Sequence, residues 1–402
     1  MDEITSISFS NYKGFASEQK IDIRPITILI GKNSSGKSSI AKLFPLIEQS
    51  LSKRIKEPLF YKNIGVELGA SFTDLIYNKE PANVLSFKIS LLDEREIFVS
   101  ILSDGLYNPQ IIEWEIKDKS NNIILKYDIT SKSYKDSEGK EYDCEFRGFI
   151  PEKIIEKHTG VNVVDNYDLS INLNLDYIGP FRILPDRIFS LSGQLFHSKI
   201  GVKGENAYNI LAVSKLQSTD LHTRVGSWFV QNFEGWQLVV NESENPYFEL
   251  QLTKETSTYS TDSAEYGQSV KINIVDVGQG MNQALPLVVR AYMPEKQSLI
   301  ITEQPELHLH PAAHGNLAEL FVRSSKQNNQ KYIIETHSEN MILRLRKLII
   351  ENDFNFTPDD LVIYWVDEAD KGKVLTKITV DANGVLSDWP EDVFTENVKE
   401  IL

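Results

Sequence analysis

Gly31-Lys32-Asn33-Ser34-Ser35-Gly36-Lys37-Ser38 is the stretch that decides the fold. It fits G-x-x-x-x-G-K-[ST] at each fixed position, and gripping phosphate explains the spelling. Glycines let successive backbone N–H groups curl around a β-phosphate, and a helix starting at once adds its positive end. Lys37 is placed to reach the β and γ oxygens and Ser38 to ligate Mg²⁺. The expected ligands are therefore ATP and Mg²⁺, with Gly31, Asn33, Ser34, Ser35, Gly36, Lys37, Ser38 and Ser39 as the contacts. The flanks agree: Ile26-Thr27-Ile28-Leu29-Ile30 is a compact buried strand entering the loop, and a helical pattern runs on from Ser38 through Ile47.

Working outward, residues 4–9 and 20–24 alternate in strand fashion around the turn Asn11-Tyr12-Lys13-Gly14. Between 83 and 143, short alternating runs such as Val84-Leu85-Ser86-Phe87-Lys88-Ile89 recur between turn residues and predict an antiparallel lobe. No apolar heptad is present, so whatever interrupts the nucleotide site is compact and not a long coiled-coil arm. The second half alternates strand 299–302, helix 312–323, strand 332–335, helix 340–350 and strand 361–366, a βαβ run that predicts a mostly parallel sheet. The Ser/Thr-rich stretch 256–267 reads as a loop. The expected division is 1–80 and 271–402 as the two halves of one head, with 81–270 inserted between them.

Composition narrows the class. A formal charge of -15 over 402 residues argues against coating nucleic acid by electrostatics alone. The small clusters Lys53, Arg54, Lys56 and Arg344, Arg346, Lys347 leave a local contact open. The single cysteine, Cys144, excludes an internal disulfide and a cysteine-based zinc site. The first residues lack a signal-peptide pattern and no apolar run approaches the roughly 20 residues that span a bilayer, so a cytoplasmic, unanchored protein is expected.

A phosphate loop needs an acid at the end of a neighbouring strand to hold magnesium. Ser298-Leu299-Ile300-Ile301-Thr302-Glu303-Gln304-Pro305-Glu306 supplies an apolar strand ending in Glu303, about 270 residues downstream. That separation points to a head domain split by an insertion. His308, His310 and His314 beside Glu306 also admit a zinc reading, although one segment would have to supply every ligand.

Five segments taken together resemble the heads of ABC-type ATPases such as SMC, RecF and the OLD family. They are Asn11-Tyr12-Lys13-Gly14-Phe15, the phosphate loop, Asp276-Val277-Gly278-Gln279-Gly280-Met281-Asn282-Gln283, the Glu303 to Pro311 segment and Glu335-Thr336-His337-Ser338. They follow the order of N-terminal phosphate-side strand, Walker A, signature, Walker B with D-loop, and switch histidine. Tyr177-Ile178-Gly179-Pro180-Phe181-Arg182, Gly204-Glu205-Asn206-Ala207-Tyr208 and Asp388-Trp389-Pro390 further resemble bacterial AAA-type ATPases, often linked to anti-phage defence, that end in a D-W-P-containing tail. The resemblance implies an α/β P-loop NTPase of ABC-head type, a mixed sheet with an antiparallel β lobe and an inserted α/β segment. It implies an ATP-dependent homodimer or higher oligomer in which Gly278, Gly280, Asn282 and Gln283 meet the γ-phosphate held by the other protomer, with Lys13 on the phosphate side. It also implies a separately encoded effector, a Toprim-like nuclease among the candidates, because no Toprim domain is expected after the tail.

Two departures from that pattern matter. Gly278 stands where the signature serine is usual, with Asn282 the nearest polar substitute. Glu303 stands where an aspartate is common and Gln304 where the catalytic glutamate belongs, and an amide cannot take a proton from water. Hydrolysis is therefore expected to be slow, and a scaffold that binds ATP with little turnover stays open beside an ATP-driven switch. Strand alternation would aim Glu335 and His337 to one face, making Glu335 a candidate base beside His337, with Glu306 its rival. The structural alternative for Glu335 is an ion pair with Arg344 or Arg346.

Overall fold

A computed structural model describes residues 2–103, 108–119, 122–166, 169, 171–191, 196–242, 246–256, 268–294 and 298–389. The strand Ile26–Gly31 is apolar at almost every position and needs cover on both faces, and it lies inside a six-stranded sheet. The strand order is Leu175–Ile178, Leu299–Glu303, Lys331–Glu335, Ile26–Gly31, Leu361–Ala369, Gly372–Ile378. Neighbours pair in parallel except the last, which returns antiparallel. Side-chain alternation divides the core. Ile26, Ile28 and Ile30 pack with Leu285, Leu317, Phe321 and Leu345 on one face, while Leu29 joins Ile40, Phe44, Phe87 and Trp114 on the other.

The helix Lys37–Leu51 lies on that second face beneath a nine-stranded antiparallel sheet. The lobe grips it at both ends. Tyr12 Oη donates to Ser39 O at 3.1 Å, and Phe149 N–H donates to Ser50 O at 2.7 Å, with Trp114 Nε1 donating in turn to Phe149 O. Sheet membership crosses the boundaries expected from sequence. Ile4–Ser10 and Gln19–Asp22 form one edge of the antiparallel lobe, and Leu175–Ile178 belongs to the parallel sheet. What lies between is a small sheet built from Phe189–Ser190, Gln237–Glu242, Tyr247–Thr256 and Gln268–Asn273, with the helices Ala207–Leu216 and Leu221–Asn232. Of the anticipated loop at 256–267, all but Thr256 lies outside the described residues, as does Pro390 of the tail motif.

The helix Gln279–Tyr292 is tied to the edge strand by Arg290 Nε and Asp176 Oδ2, 2.7 Å apart and almost wholly buried. Removing either partner would strand a buried charge, so the pair fixes how this helix sits on the sheet. Of the basic residues noted in the sequence, Arg344 bonds Glu319, Arg346 Nε donates to Gly384 O and Lys347 pairs with Glu351. Among the described residues no helix is long and apolar enough to cross a membrane.

Candidate functional site

The phosphate loop needs conformations that ordinary residues avoid. Ser34 sits at φ 63 and Gly36, the residue that starts the helix, at φ 114. Lys37 is 3 % exposed, and its Nζ donates to Gly31 O at 2.9 Å and Lys32 O at 2.8 Å. Burial lowers its pKa, the nearby Glu335 carboxyl works against that, and Lys373 adds a second lowering. Ser35 Oγ is buried with no partner.

The parallel register brings the acids to the same end of the sheet. Glu303 lies opposite Glu335, and Glu335 lies beside Leu29, two residues before the loop begins. Glu303 Oε1 accepts from the Tyr177 hydroxyl. Ser38 Oγ donates to Glu335 Oε1 at 3.2 Å, while Glu335 Oε2 is buried without a partner. The alternative pairing of Glu335 with an arginine is not what forms, since Arg344 and Arg346 bond elsewhere. Burial first, and then the charge of Glu303, push the Glu335 carboxyl up to about 7, against the pull of Ser38 and Lys37.

That shift makes a stability prediction. A carboxyl whose folded pKa lies above its unfolded value costs nothing below the unfolded value and costs the fold increasingly as pH rises from there to the folded value. For Glu335 the window runs from 4.5 to about 7. At about 1.4 kcal/mol per pH unit the full cost is on the order of 3 kcal/mol. Glu335→Gln, free of nucleotide and Mg²⁺, should melt several degrees above the parent at pH 8 and level with it at pH 4.5. A difference independent of pH would contradict this electrostatic account.

Gln304 takes a left-handed turn, φ 43, that opens the segment after the acid strand. Its N–H donates to Glu335 O at 2.7 Å, and its carbonyl accepts from Arg182 Nη2 at 3.2 Å. Arg182, 5 % exposed, also bonds Glu303 O and Gln283 O, so it clasps the acid strand to the helix Gln279–Tyr292. Burial brings its guanidinium down to about 10. The sequence offered only the surrounding motif, with no sign of this clasp. Glu306 Oε1 accepts from His337 N–H at 2.7 Å, and Glu306 Oε2 is buried with no partner.

Several sequence expectations change here. Strand alternation does not carry from Glu335 to His337: the strand ends at Glu335, which is buried, and His337 is exposed on the segment beyond it. Asn282 and Gln283 are both buried, at 3 % and 4 % exposure, and Gln283 exchanges hydrogen bonds with Arg182. Gly280 presses on its own chain, where a Cβ would lie 2.9 Å from His308 O. The exposed residues of the turn are Asp276, which pairs with Arg187, and Gly278 and Gln279. Lys13 Nζ donates to Leu68 O at 2.8 Å, and the second lysine at the loop is instead Lys373, which bonds Ser34 O.

Two of the three histidines of the zinc reading are engaged within the fold, while His308 is exposed at a left-handed turn, φ 68. His310 Nδ1 accepts from Ala312 N–H to cap its helix. His314 Nδ1 lies 2.7 Å from Ser338 Oγ, and its Nε2 lies 3.2 Å from Leu309 O, which can only accept. Among the described residues no group of three His, Cys, Asp or Glu is arranged to hold a metal ion by itself. Magnesium at a nucleotide needs less, one or two carboxylates completed by phosphate oxygens and water. Ser38 Oγ and the Glu303 carboxylate fit that donor set, beside Glu335.

A mostly parallel sheet whose phosphate-loop strand lies next to two acid-ended strands on one side defines a P-loop architecture. Residues 3–187 and 209–342 match the AAA ATPase domain family, and the chain belongs to that family. No curated protein matches it. Solved structures similar to it include an Smc head bound to the C-winged helix domain of ScpA, at 12 % identity over 94 % of this chain and 98 % of that one, TM-score 0.46. Another is the SMC head domain from Thermotoga maritima, at 12 % identity over 93 % and 98 %, TM-score 0.42. A third is an Smc head with an extended coiled coil bound to the C-terminal domain of ScpA, derived from Pyrococcus furiosus, at 12 % over 94 % and 97 %, TM-score 0.45.

Proposed function

We propose that this ATPase binds ATP with Mg²⁺ at the Gly31 to Ser39 loop, hydrolyses it slowly with Glu335 as general base, and closes as a homodimer on ATP to switch a partner protein. The observation that carries the reading is Glu335 itself, a buried carboxyl joined to Ser38, with one oxygen unmet and a pKa of about 7. Lys37 would exchange two loop carbonyls for phosphate oxygens. Ser38 and Glu303 would hold Mg²⁺, which supplies charge neutralisation at the phosphates. As water attacks the γ-phosphorus and the bond to ADP breaks, the proton passes to Glu335, because Gln304 has no basic oxygen to offer. Arg182 keeps the Gln304 turn in place while that happens.

Closure on a second copy is proposed through the turn at Gly278 and Gln279, exposed at a helix N-terminus that suits an anion. Gly278 has φ -59 and nothing within 4 Å of a Cβ built on it, so a side chain there leaves the fold alone. Gly278→Asp should abolish the increase in mass that ATP-Mg²⁺ causes in light scattering and leave ATP affinity of the monomer unchanged. Normal association of that variant would remove the turn from the interface. The partner is proposed to be a cytoplasmic, separately encoded effector in anti-phage defence, a Toprim-like nuclease being the first to try, and a pull-down with ATP present tests it.

A second reading, an ATP-held scaffold with little turnover, rests on Gln304 at the end of the acid strand. Steady-state phosphate release per protein separates the two: many turnovers support the switch, less than one supports the scaffold.

A further inference from the structure

Lys373 reaches the phosphate loop from the far end of the chain. Its backbone N–H donates to Gly14 O at 2.8 Å, and Gly372 bridges Phe15, so the tip of the hairpin between Leu361–Ala369 and Gly372–Ile378 is fastened to the N-terminal turn. From that anchor the side chain runs across the loop in a notch that two glycines leave open. A Cβ on Gly14 would lie 2.6 Å from Lys373 Cδ, and one on Gly36 would lie 3.0 Å from the same carbon. The ammonium ends on Ser34 O, within the loop. Lys37 ends on Gly31 O and Lys32 O a few residues away, close enough for the charge of Lys373 to act on it.

Two ammonium groups are thus held side by side on backbone carbonyls of one short loop. Like charges repel, and carbonyl oxygens offset that only in part. A polyanion lying in the loop would satisfy both, and a nucleoside triphosphate supplies adjacent charged groups. Resting on the nucleotide-site reading above, we propose that Lys373 is a second phosphate-binding lysine, delivered to the loop by the C-terminal hairpin to bind the β- and γ-phosphate end of ATP beside Lys37. Hairpin, N-terminal turn and phosphate loop then act as one clamp on the triphosphate.

Calorimetric titration with ATP tests this on the full chain, with the parent, Lys373→Ala, Lys373→Met, Lys371→Ala and Lys37→Ala. Lys373→Met keeps the apolar stem in its notch and removes only the charge, and Lys371→Ala removes an exposed lysine from the same turn. Lys373→Ala and Lys373→Met should both lose roughly tenfold or more in ATP affinity, as expected for a charge-assisted contact, while Lys371→Ala binds like the parent. Melting curves and circular dichroism check that each variant is folded. Parent-like ATP affinity in Lys373→Ala overturns the proposal. So does parent-like affinity in Lys373→Met, because the loss in alanine would then come from packing. If Lys373→Ala binds normally while Lys37→Ala does not, the nucleotide site stands and only the role of Lys373 falls. If Lys37→Ala also binds normally, the nucleotide reading itself is wrong.

Discussion

Lys37→Ala is expected to lower ATP affinity by at least about a hundredfold, which corresponds to the roughly 3 kcal/mol that charged hydrogen bonds to phosphate are worth. Among the described residues the lysine has no competing ion pair. Its Nζ is held by two carbonyls of the loop, Gly31 O and Lys32 O, so the protein keeps the ammonium in place with contacts that phosphate oxygens can replace. The same geometry shows that the substitution is not free for the fold. Lys37 is 3 % exposed, and alanine would leave two loop carbonyls without their donor. That should cost on the order of 1 to 3 kcal/mol, reduced wherever water reaches the emptied space. The measurement is equilibrium titration with ATP, with thermal melting beside it. A folded variant with parent-like affinity would sink the assignment of the loop.

Glu335→Gln should slow single-turnover hydrolysis roughly a hundredfold or more with ATP affinity nearly kept, the usual consequence of removing a general base. Glutamine preserves size and can still accept from Ser38, so the loss would report the missing base and not a collapsed site. The rival is Glu306, whose second carboxylate oxygen is also buried and unmet. Its first oxygen, however, accepts from the His337 N–H, which gives it a place in holding the segment after the Glu335 strand to the turn after the acid strand. Glu306→Gln should therefore hydrolyse faster than Glu335→Gln. If Glu335→Gln hydrolyses like the parent while Glu306→Gln is inactive, the roles are reversed. Gln304→Glu tests the same site from the other side. A sharp acceleration in that variant would mean that the parent is held slow by the amide at 304.

The local code was legible where function depends on neighbours in sequence. The loop spelling, the apolar strand before it and the helix after it specify a phosphate cradle because the backbone turns that shape it are set by residues close together in sequence. The βαβ alternation of the second half likewise specified a parallel sheet, since a strand that must cross to a parallel partner needs a helix between. Glu303 was readable as an acid at a strand end for the same reason. The hairpin return at Gly372–Ile378 was missed, because its residues alternate only weakly and pair on one side alone.

Tertiary structure alone decided which of the acids faces the loop. Parallel register sets Glu335 on the strand between the acid strand and the loop strand, and neither residue type nor spacing reveals that order. It turned Asn282 and Gln283 inward, since the exposed side of a helix is fixed by what packs against it and not by the motif that opens it. It supplied Arg182, whose three acceptors come from two segments roughly a hundred positions or more away. It also brought Lys373 to Ser34 across 339 positions, a contact no local pattern could carry. The sequence by itself determined a phosphate loop and the chain class around it, because backbone conformation near a glycine is a local property. The constellation of charges at that loop belongs to the fold, because electrostatics depends on distance in space.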